Sequence, residues 1–210
     1  MNNNCVIFLN GVIENDEFIK AIVNRNDFII AVDGGFNHVN RLNFSPNLIL
    51  GDFDSSEYNE ALKSKGEIHR YNSDKNATDG EIAIDYVIEN SFNEVIIVGA
   101  LGNRIDHMLS NVYMLEKLSD AGIKATIKGY KNEISFLRDK LILHKGKYKH
   151  FSVIAITEKI SGLSIGNARY ELSDEDLKRT ESLGISNEFI DETASITLKS
   201  GKAIVIKSLD

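Results

Sequence analysis

Cysteine, proline and tryptophan are almost missing from this chain, whose 210 residues include one cysteine, one proline and no tryptophan. Because the single cysteine, Cys5, cannot form an internal disulfide, we expect a reducing compartment and predict a cytoplasmic protein. No apolar run approaches the roughly 20 residues that a membrane-spanning helix needs. The first four residues also carry none of the basic charge that opens a signal peptide. We therefore predict a protein with no membrane partner.

Positive charge is scarce in the first part of the chain. Residues 1–130 hold 11 lysines and arginines against 19 aspartates and glutamates, whereas residues 131–210 hold 13 against 12. A nucleic-acid groove needs a basic face, so we predict no nucleic-acid partner. The acidic first part instead suits carboxylates that gather around a divalent cation.

The first 130 residues alternate short β-rich runs with amphipathic segments. Several of the runs are nearly all apolar, as expected for strands covered on both faces. Apolar residues at helical spacing predict helices over residues 80–90 and 105–118. The alternation predicts an α/β fold, with a doubly wound, mostly parallel sheet in a domain of residues 1–130. The predicted strands are Cys5–Leu9, Phe28–Val32, Leu48–Leu50, Glu67–Tyr71, Glu94–Gly99 and Lys124–Lys128; the apolar stripe of the second helix is Ile105, Met108, Leu109, Val112 and Leu115.

Beyond about residue 130, short runs with partial alternation follow one another, separated by turn signals. This pattern predicts a second domain over residues 131–210, a small antiparallel β-sandwich. Within it, only residues 173–180 have a helical pattern. The predicted strands are Ile134–Leu137, Leu141–His144, Tyr148–Ile156, Ala194–Lys199 and Ala203–Lys207.

Polar residues follow several of the predicted parallel strands, and ligands of open parallel sheets bind beyond the carboxyl ends of the strands. Asp52 and Asp54 come directly after the third strand. Residues two apart in an extended segment point the same way, so their carboxylates can meet at one point. Two carboxylates suit Mg²⁺. The alternative is a solvated turn with local Asx hydrogen bonds.

The fourth strand is followed by a segment that contains Thr78, Asp79 and Glu81. Thr78 and Glu81 have the spacing of a capping box at the start of a helix, and Asp79 favours a helix N-terminus. Because a helix N-terminus also binds anions, capping does not compete with function. Asp79 could complete the metal shell.

After the fifth strand come two glycines, Gly99 and Gly102, and then Arg104, Asp106 and His107. Glycines let the backbone approach a phosphate, and arginine is a permanent cation for phosphate recognition. Alternatively, the polar residues of this segment only cap the N-terminus of the helix that follows.

Asp33, Gly34 and Gly35 follow the second strand, where a tight strand-to-helix turn is the plainer interpretation. Four polar clusters at four strand ends, each with an aspartate, favour a common site. No covalent nucleophile and no Gly-x-x-x-x-Gly-Lys-Ser/Thr phosphate loop is found, so the site suggests metal-assisted phosphoryl chemistry.

These clusters, in this order, resemble the thiamin pyrophosphokinase family. A further match lies in the second domain, and the resemblance spans nearly the whole chain. The matching segments are Ala31–Gly35, Ile49–Ser55, Lys75–Asp79, Gly99–His107 and Ser182–Phe189.

The resemblance implies transfer of pyrophosphate from ATP to the hydroxyl of thiamin, giving thiamin diphosphate and AMP. It implies a homodimer in which thiamin binds between the α/β domain of one subunit and the sandwich of the other. Asp52, Asp54 and Asp79 are implied to bind Mg²⁺, and Arg104 to act with them in catalysis. The implied contacts to nucleotide, phosphate and thiamin are Asp33, Gly34, Gly35, Thr78, Asp106, His107, Ser186 and Asn187.

One residue departs from the family pattern, since Asn76 stands where an aspartate is usual. Two other functions stay open: a metal-dependent phosphohydrolase in which Asp52 attacks phosphate, and a non-catalytic sensor of thiamin or nucleotide. The general base is also open among Asp33, Asp54 and Asp106.

Overall fold

The structure, a computed structural model, describes residues 3–52, 61–71, 77–102 and 104–209. The chain divides into two compact units, Met1–Tyr130 and Lys131–Asp210. Asp54 and Asn76 lie outside the described residues, and so does most of the segment between Asp74 and Thr78.

The first unit contains a parallel sheet in which each strand pairs with its neighbours in the order β6-β5-β1-β2-β3-β4. The parallel α/β architecture predicted from the sequence is therefore confirmed. Its elements are β1 Asn4–Phe8, α1 Asp16–Ile22, β2 Phe28–Val32, α2 Gly35–Arg41, β3 Leu48–Gly51, β4 Glu67–Arg70, α3 Asp79–Glu89, β5 Glu94–Val98, α4 Ile105–Asp120 and β6 Lys124–Lys128.

Strand β1 lies inside this sheet, between β2 and β5. Its residues Cys5 to Phe8 are each at most 1% exposed, which explains why the run contains no alternating polar residue. Burial raises the pKa of the Cys5 thiol, so this cysteine is a core residue. From β1 the chain adds β2, β3 and β4 on one side and later returns to add β5 and β6 on the other. The order of strands therefore reverses between β1 and β5.

The helices follow the predicted pattern only in part. Thr78 is the N-cap of α3, and its hydroxyl accepts a hydrogen bond from the Glu81 N–H at 3.1 Å. The Glu81 carboxylate instead accepts from Lys117 Nζ on α4 at 3.2 Å. On α4 the buried stripe is Val112, Leu115 and Leu118. Ile105 and Leu109, which were predicted to be buried, are 65% and 46% exposed.

Among the described ranges, no helix is long and apolar enough to span a bilayer.

The second unit contains two antiparallel groups of strands, in the orders β12-β9-β14-β7 and β11-β10-β13-β8. Side chains of both groups, including Val153, Leu163, Ile196 and Val205, form one buried core, as in a sandwich. The strands are β7 Asn132–Leu137, β8 Lys140–His144, β9 His150–Ala155, β10 Lys159–Gly166, β11 Leu172–Lys178, β12 Asn187–Glu188, β13 Thr193–Thr197 and β14 Ala203–Ser208.

The helix predicted over residues 173–180 is wrong, because most of this segment is strand β11. Strand β11 is the edge of its sheet and, among the strands that the structure describes, pairs with β10 alone. Among its residues only Leu177 is buried, so its acidic side chains stay in water and give no alternating pattern. Two of them, Asp174 and Asp176, form ion pairs with lysines at 2.7 and 2.6 Å. Strand pairing therefore overrides local helix propensity here.

A buried ion pair joins β14 to β7. Lys207 and Glu133 are opposite each other in the strand register, and Nζ lies 2.7 Å from Oε1. The two side chains are only 9% and 17% exposed. Lys207 Nζ also donates to the His144 carbonyl at 2.9 Å. The charge is thus satisfied inside the sandwich, as a buried lysine requires.

Replacing Lys207 with methionine should lower the free energy of unfolding by about 3–5 kcal/mol, because Glu133 would be left buried without its cation. The matched control is Lys199→Met. Lys199 pairs with Asp174 at the surface, where the side chains are 70% and 59% exposed, so the loss should stay below about 1 kcal/mol. Urea unfolding of both variants measures the difference. Equal losses would contradict a structural role for the buried pair.

Candidate active site

A cavity of about 490 Å³ opens in the first unit where the order of strands reverses, at the carboxyl ends of β1 and β5. Such switch points are where open parallel sheets bind ligands. The loops after β1, β2 and β5 and the first turns of α3 and α4 line it. The lining residues are Leu9, Asn10, Gly11, Val12, Val32, Asp33, Thr78, Asp79, Gly80, Gly99, Ala100, Gly102, Arg104, His107, Met108 and Asn111.

The loop after β1 is one part of the cavity that sequence reasoning missed, and Asn111 on α4 is another. The Gly11 N–H donates to the Gly99 carbonyl at 2.7 Å, so this loop pairs directly with the loop after β5. A Cβ on Gly11 would lie 2.2 Å from Gly99 O, and one on Gly99 would lie 2.2 Å from Leu9 O. Only glycine fits at both positions. The expectation that ligands bind beyond the carboxyl ends of parallel strands, applied to β1 as well, would have identified Asn10 and Gly11.

Asp33 lies in the left-handed region, with φ at 48°, and lines the cavity. Its N–H donates to the Leu50 carbonyl at 2.8 Å. Aspartate tolerates this conformation better than most residues, and such outliers cluster at functional sites.

Gly34 and Gly35 are buried and are not among the residues that line the cavity. A Cβ on Gly34 would lie 2.2 Å from Asn10 Oδ1, and one on Gly35 would lie 2.0 Å from the Phe8 carbonyl. The two glycines therefore allow the start of α2 to approach the end of β1. This is the tight turn that the sequence offered as the plainer interpretation.

Residues on one face of α4 also line the cavity. Arg104, His107, Met108 and Asn111 have the spacing of a single helical face, and Asn111 Nδ2 donates to the Ala100 carbonyl at 3.0 Å. Met108, which was predicted to belong to the buried stripe, faces the cavity instead. The helix thus both lines the cavity and fixes the loop after β5.

Arg104 and Asp106 form an exposed ion pair at the start of α4. Arg104 Nη2 donates to Asp106 Oδ2 at 2.7 Å, and the two side chains are 71% and 66% exposed. The hydrogen bond from Arg104, with one from the His107 backbone, lowers the pKa of Asp106 to about 2. Asp106 is not among the residues that line the cavity, whereas Arg104 is.

The predicted metal ligands fall only in part within the described residues. Asp52 is exposed after β3, where its carbonyl accepts from Arg70 Nε at 3.2 Å. Asp79 is half-buried at the first position of α3. In the described part of the chain, no three histidine, cysteine, aspartate or glutamate side chains are close enough to hold a metal ion. The carboxylate donors themselves have the chemistry that Mg²⁺ prefers.

In the second unit, Ser186 and Asn187 have different surroundings. Ser186 is exposed and left-handed, with φ at 59°, and its N–H donates to Ser152 Oγ at 3.0 Å. Asn187 is 4% exposed, and its Oδ1 accepts from the N–H groups of Tyr170 and Glu188 at 3.0 and 2.9 Å. Its Nδ2 donates to the Tyr170 carbonyl at 2.7 Å. The Asn187 amide therefore binds the backbone, while Ser186 is open to solvent.

The fold and cavity define an α/β protein with a cavity lined by Asp33, Asp79 and Arg104 at the switch point of a parallel sheet, joined to a β-sandwich. Comparison with known proteins agrees. The catalytic domain of thiamin pyrophosphokinase matches residues 19–127, and the vitamin B1 binding domain of thiamin pyrophosphokinase matches residues 139–203.

Relatives cover most of the chain. Thiamine pyrophosphokinase of Bacillus subtilis (strain 168) is 30% identical over 166 residues, which cover 77% of this chain and 78% of the relative. A solved structure of Bacillus subtilis thiamine pyrophosphokinase superimposes with a TM-score of 0.90 at 26% identity, covering 99% of both chains. The fold is shared with thiamin pyrophosphokinase from Geobacillus thermodenitrificans, with a TM-score of 0.87, 22% identity, and coverage of 99% of this chain and 98% of that one.

The chain therefore belongs to the thiamin pyrophosphokinase family. Membership makes it an enzyme, a kinase-type transferase of thiamine diphosphate biosynthesis whose substrates are thiamin and ATP.

Gly35→Ala should lower the free energy of unfolding by about 1–3 kcal/mol, because the added Cβ would collide with the Phe8 carbonyl. Gly80→Ala is the matched control, since Gly80 also lies in the first turn of a helix. Its nearest neighbours would be at 3.6 Å or more, so this change should stabilise by up to about 1 kcal/mol. Thermal and urea unfolding of both variants test the contrast, and an unaffected Gly35→Ala would refute the packing role.

Proposed function

We propose that the chain transfers the pyrophosphoryl group of ATP to the hydroxyl of thiamin at the cavity of the first unit. The observation that carries the proposal is that Asp33, Asp79 and Arg104, from three separate strand-to-helix connections, line one cavity at the switch point. Twelve of the sixteen lining residues lie within the segment matched by the catalytic domain of the family, and the other four belong to the loop after β1, which precedes that segment. Charged groups from several loops can thus act on one phosphate chain.

The reaction is an in-line attack of the thiamin hydroxyl on the β-phosphorus of ATP, with AMP as the leaving group. Catalysis in such transfers is mostly positioning and charge neutralisation. Arg104 supplies a permanent cation, and the N-termini of α3 and α4 supply backbone N–H groups. Asp52, Asp54 and Asp79 would hold Mg²⁺, which neutralises phosphate oxygens when bound.

The surroundings of the carboxylates bear on which of them accepts the proton from the hydroxyl. Asp106 is paired with Arg104, and its lowered pKa makes it a weak base. Asp33 lines the cavity itself. We therefore favour Asp33 over Asp106 as the general base, while Asp54 lies outside the described residues.

The second unit is proposed to supply the thiamin pocket, from the partner subunit of a homodimer. Ser186 lies within the segment matched by the vitamin B1 binding domain, and its side chain is exposed. Asn187 supports this pocket by holding the Tyr170 backbone. The single buried cysteine, Cys5, suits the cytoplasmic location that we also propose.

Replacing either Asp54 or Asp79 with asparagine should reduce the rate of AMP formation by about a hundredfold or more. The reason is that the proposed Mg²⁺, held by these carboxylates, neutralises the phosphate charge during the transfer. Asp85→Asn is the matched control. Asp85 lies on α3 with Asp79 but pairs with Lys117 at 2.6 Å, away from the lining residues, so it should stay within about threefold of wild type.

The assay follows AMP and inorganic phosphate with ATP, thiamin and a Mg²⁺ titration. Phosphate release that does not need thiamin would favour the phosphohydrolase, and absence of turnover would favour the sensor. Normal turnover and Mg²⁺ dependence in Asp54→Asn and Asp79→Asn would refute the metal assignment.

Shared sites predict complementation between inactive subunits. Asp54→Asn damages the site in the first unit, and Ser186→Arg fills the thiamin pocket with a bulky cation. Random pairing makes about half of the dimers mixed, and each mixed dimer would keep one intact site, so about a quarter of wild-type activity should return. Ser186 is preferred to Asn187 because Asn187 holds backbone in place. A monomer by light scattering, or no recovery after mixing, would contradict the proposal.

A further inference from the structure

His38 on α2 connects the loop after β1 to charged residues outside the cavity. Its Nε2 lies 2.8 Å from the Gly11 carbonyl oxygen, and its Nδ1 lies 3.2 Å from Arg41 Nη2. Arg41 also forms an ion pair with Asp16 on α1. The side chain is half-buried and is not one of the residues that line the cavity. The proposed reaction does not otherwise use it.

The two partners of the ring fix its protonation state. A guanidinium can only donate hydrogen bonds, so Nδ1 must accept from Arg41. A carbonyl can only accept, so Nε2 must carry the proton that is donated to Gly11. The neutral Nε2–H tautomer satisfies both contacts. Burial lowers the pKa of His38, the positive charge of Arg41 lowers it further, and Asp16 and the Gly11 bond oppose the shift.

Gly11 needs an anchor of this kind. Because a Cβ at this position would lie 2.2 Å from Gly99 O, the residue has no side chain through which it could be held. Its backbone is instead bound on both sides: the N–H donates to Gly99 and the carbonyl accepts from His38. Both contacts hold the loop that forms one wall of the cavity.

We infer that His38 is a positioning residue that holds Gly11 in the wall of the cavity, and that Arg41, which donates to Nδ1, keeps the ring in its neutral form. The inference rests on the proposed function in one respect, namely that ATP is the ligand whose binding depends on this wall. Loss of the contact leaves the chemical groups of the site in place. It therefore weakens ATP binding more than it slows the transfer.

The kinetic test compares His38→Leu, which cannot donate a hydrogen bond, with His38→Gln, whose amide can still reach a partner at the position of Nε2. His38→Leu should raise the KM for ATP about fivefold, equivalent to about 1 kcal/mol, and leave kcat within about twofold. His38→Gln should bring KM back to within about twofold of wild type. His144→Leu, at an exposed histidine of the second unit, controls for loss of a histidine and should change neither parameter.

The spectroscopic test uses the free protein and does not depend on activity. Long-range ¹H–¹⁵N spectra at neutral pH should show the His38 proton on Nε2 with Nδ1 unprotonated. Arg41→Met should raise the pKa of His38 because it removes a nearby cation, while the proton stays on Nε2. The Gly11 amide resonance should shift in His38→Leu and return towards its wild-type position in His38→Gln.

A proton on Nδ1 in the wild type, or an unchanged KM for ATP in His38→Leu, would overturn the inference. If His38→Leu does not fold, the tautomer and the KM of His38→Gln decide between the outcomes, and a fivefold rise in the glutamine variant counts against the inference. A wild-type protein that forms no AMP refutes the proposed function alone, because the tautomer and the Gly11 resonance are measured without substrate.

Discussion

The site depends on one close approach of backbone to backbone, between the loops that follow β1 and β5. The Gly11 N–H···O=C Gly99 bond is 2.7 Å long, and neither glycine has room for a side chain. The β1 and β5 strands bring these loops together because they are neighbours in a parallel sheet. The remaining walls are added around this contact: the Asp33 turn from β2, the first turn of α3, and α4 through Asn111 and the Ala100 carbonyl.

Structural and functional roles coincide at several of these positions, so a local explanation of a residue does not remove it from the site. Thr78 caps α3 and also lines the cavity. Gly99 also has two roles. It lines the cavity, and its φ of 66° and close packing require glycine for structural reasons. In the sandwich the roles separate instead. Asn187 is occupied by the Tyr170 backbone, whereas its neighbour Ser186 is exposed and is the residue that we propose to contact thiamin.

The parallel sheet and the charged residues that line its cavity, Asp33, Asp79 and Arg104, could be predicted from the sequence because apolar strands and the charged residues at their ends leave local patterns. The residues after β1 that line the cavity, Leu9 to Val12, carry no charge, so they lacked the signal that marked the other loops. Tyr170, whose backbone Asn187 binds, lies 17 positions away and was equally hidden. Strand β11 was mistaken for a helix because its pairing with β10, rather than its own composition, determines its conformation. The ligands of Mg²⁺, and Asn76 with its missing charge, are predictions of the sequence that the described residues do not test.

The position of β1 has a consequence for how the chain folds. Asn4 pairs with Glu94 across about 90 positions, whereas β1 and β2 are close in sequence and can pair early. Long-range parallel pairing is slow, since much chain must be ordered before the contact forms. During synthesis, one edge of β1 would therefore stay open until β5 leaves the ribosome, and such an edge can pair with other chains. The cavity is then among the last features of the first unit to form, so a truncated chain that ends before β5 would lack the site entirely.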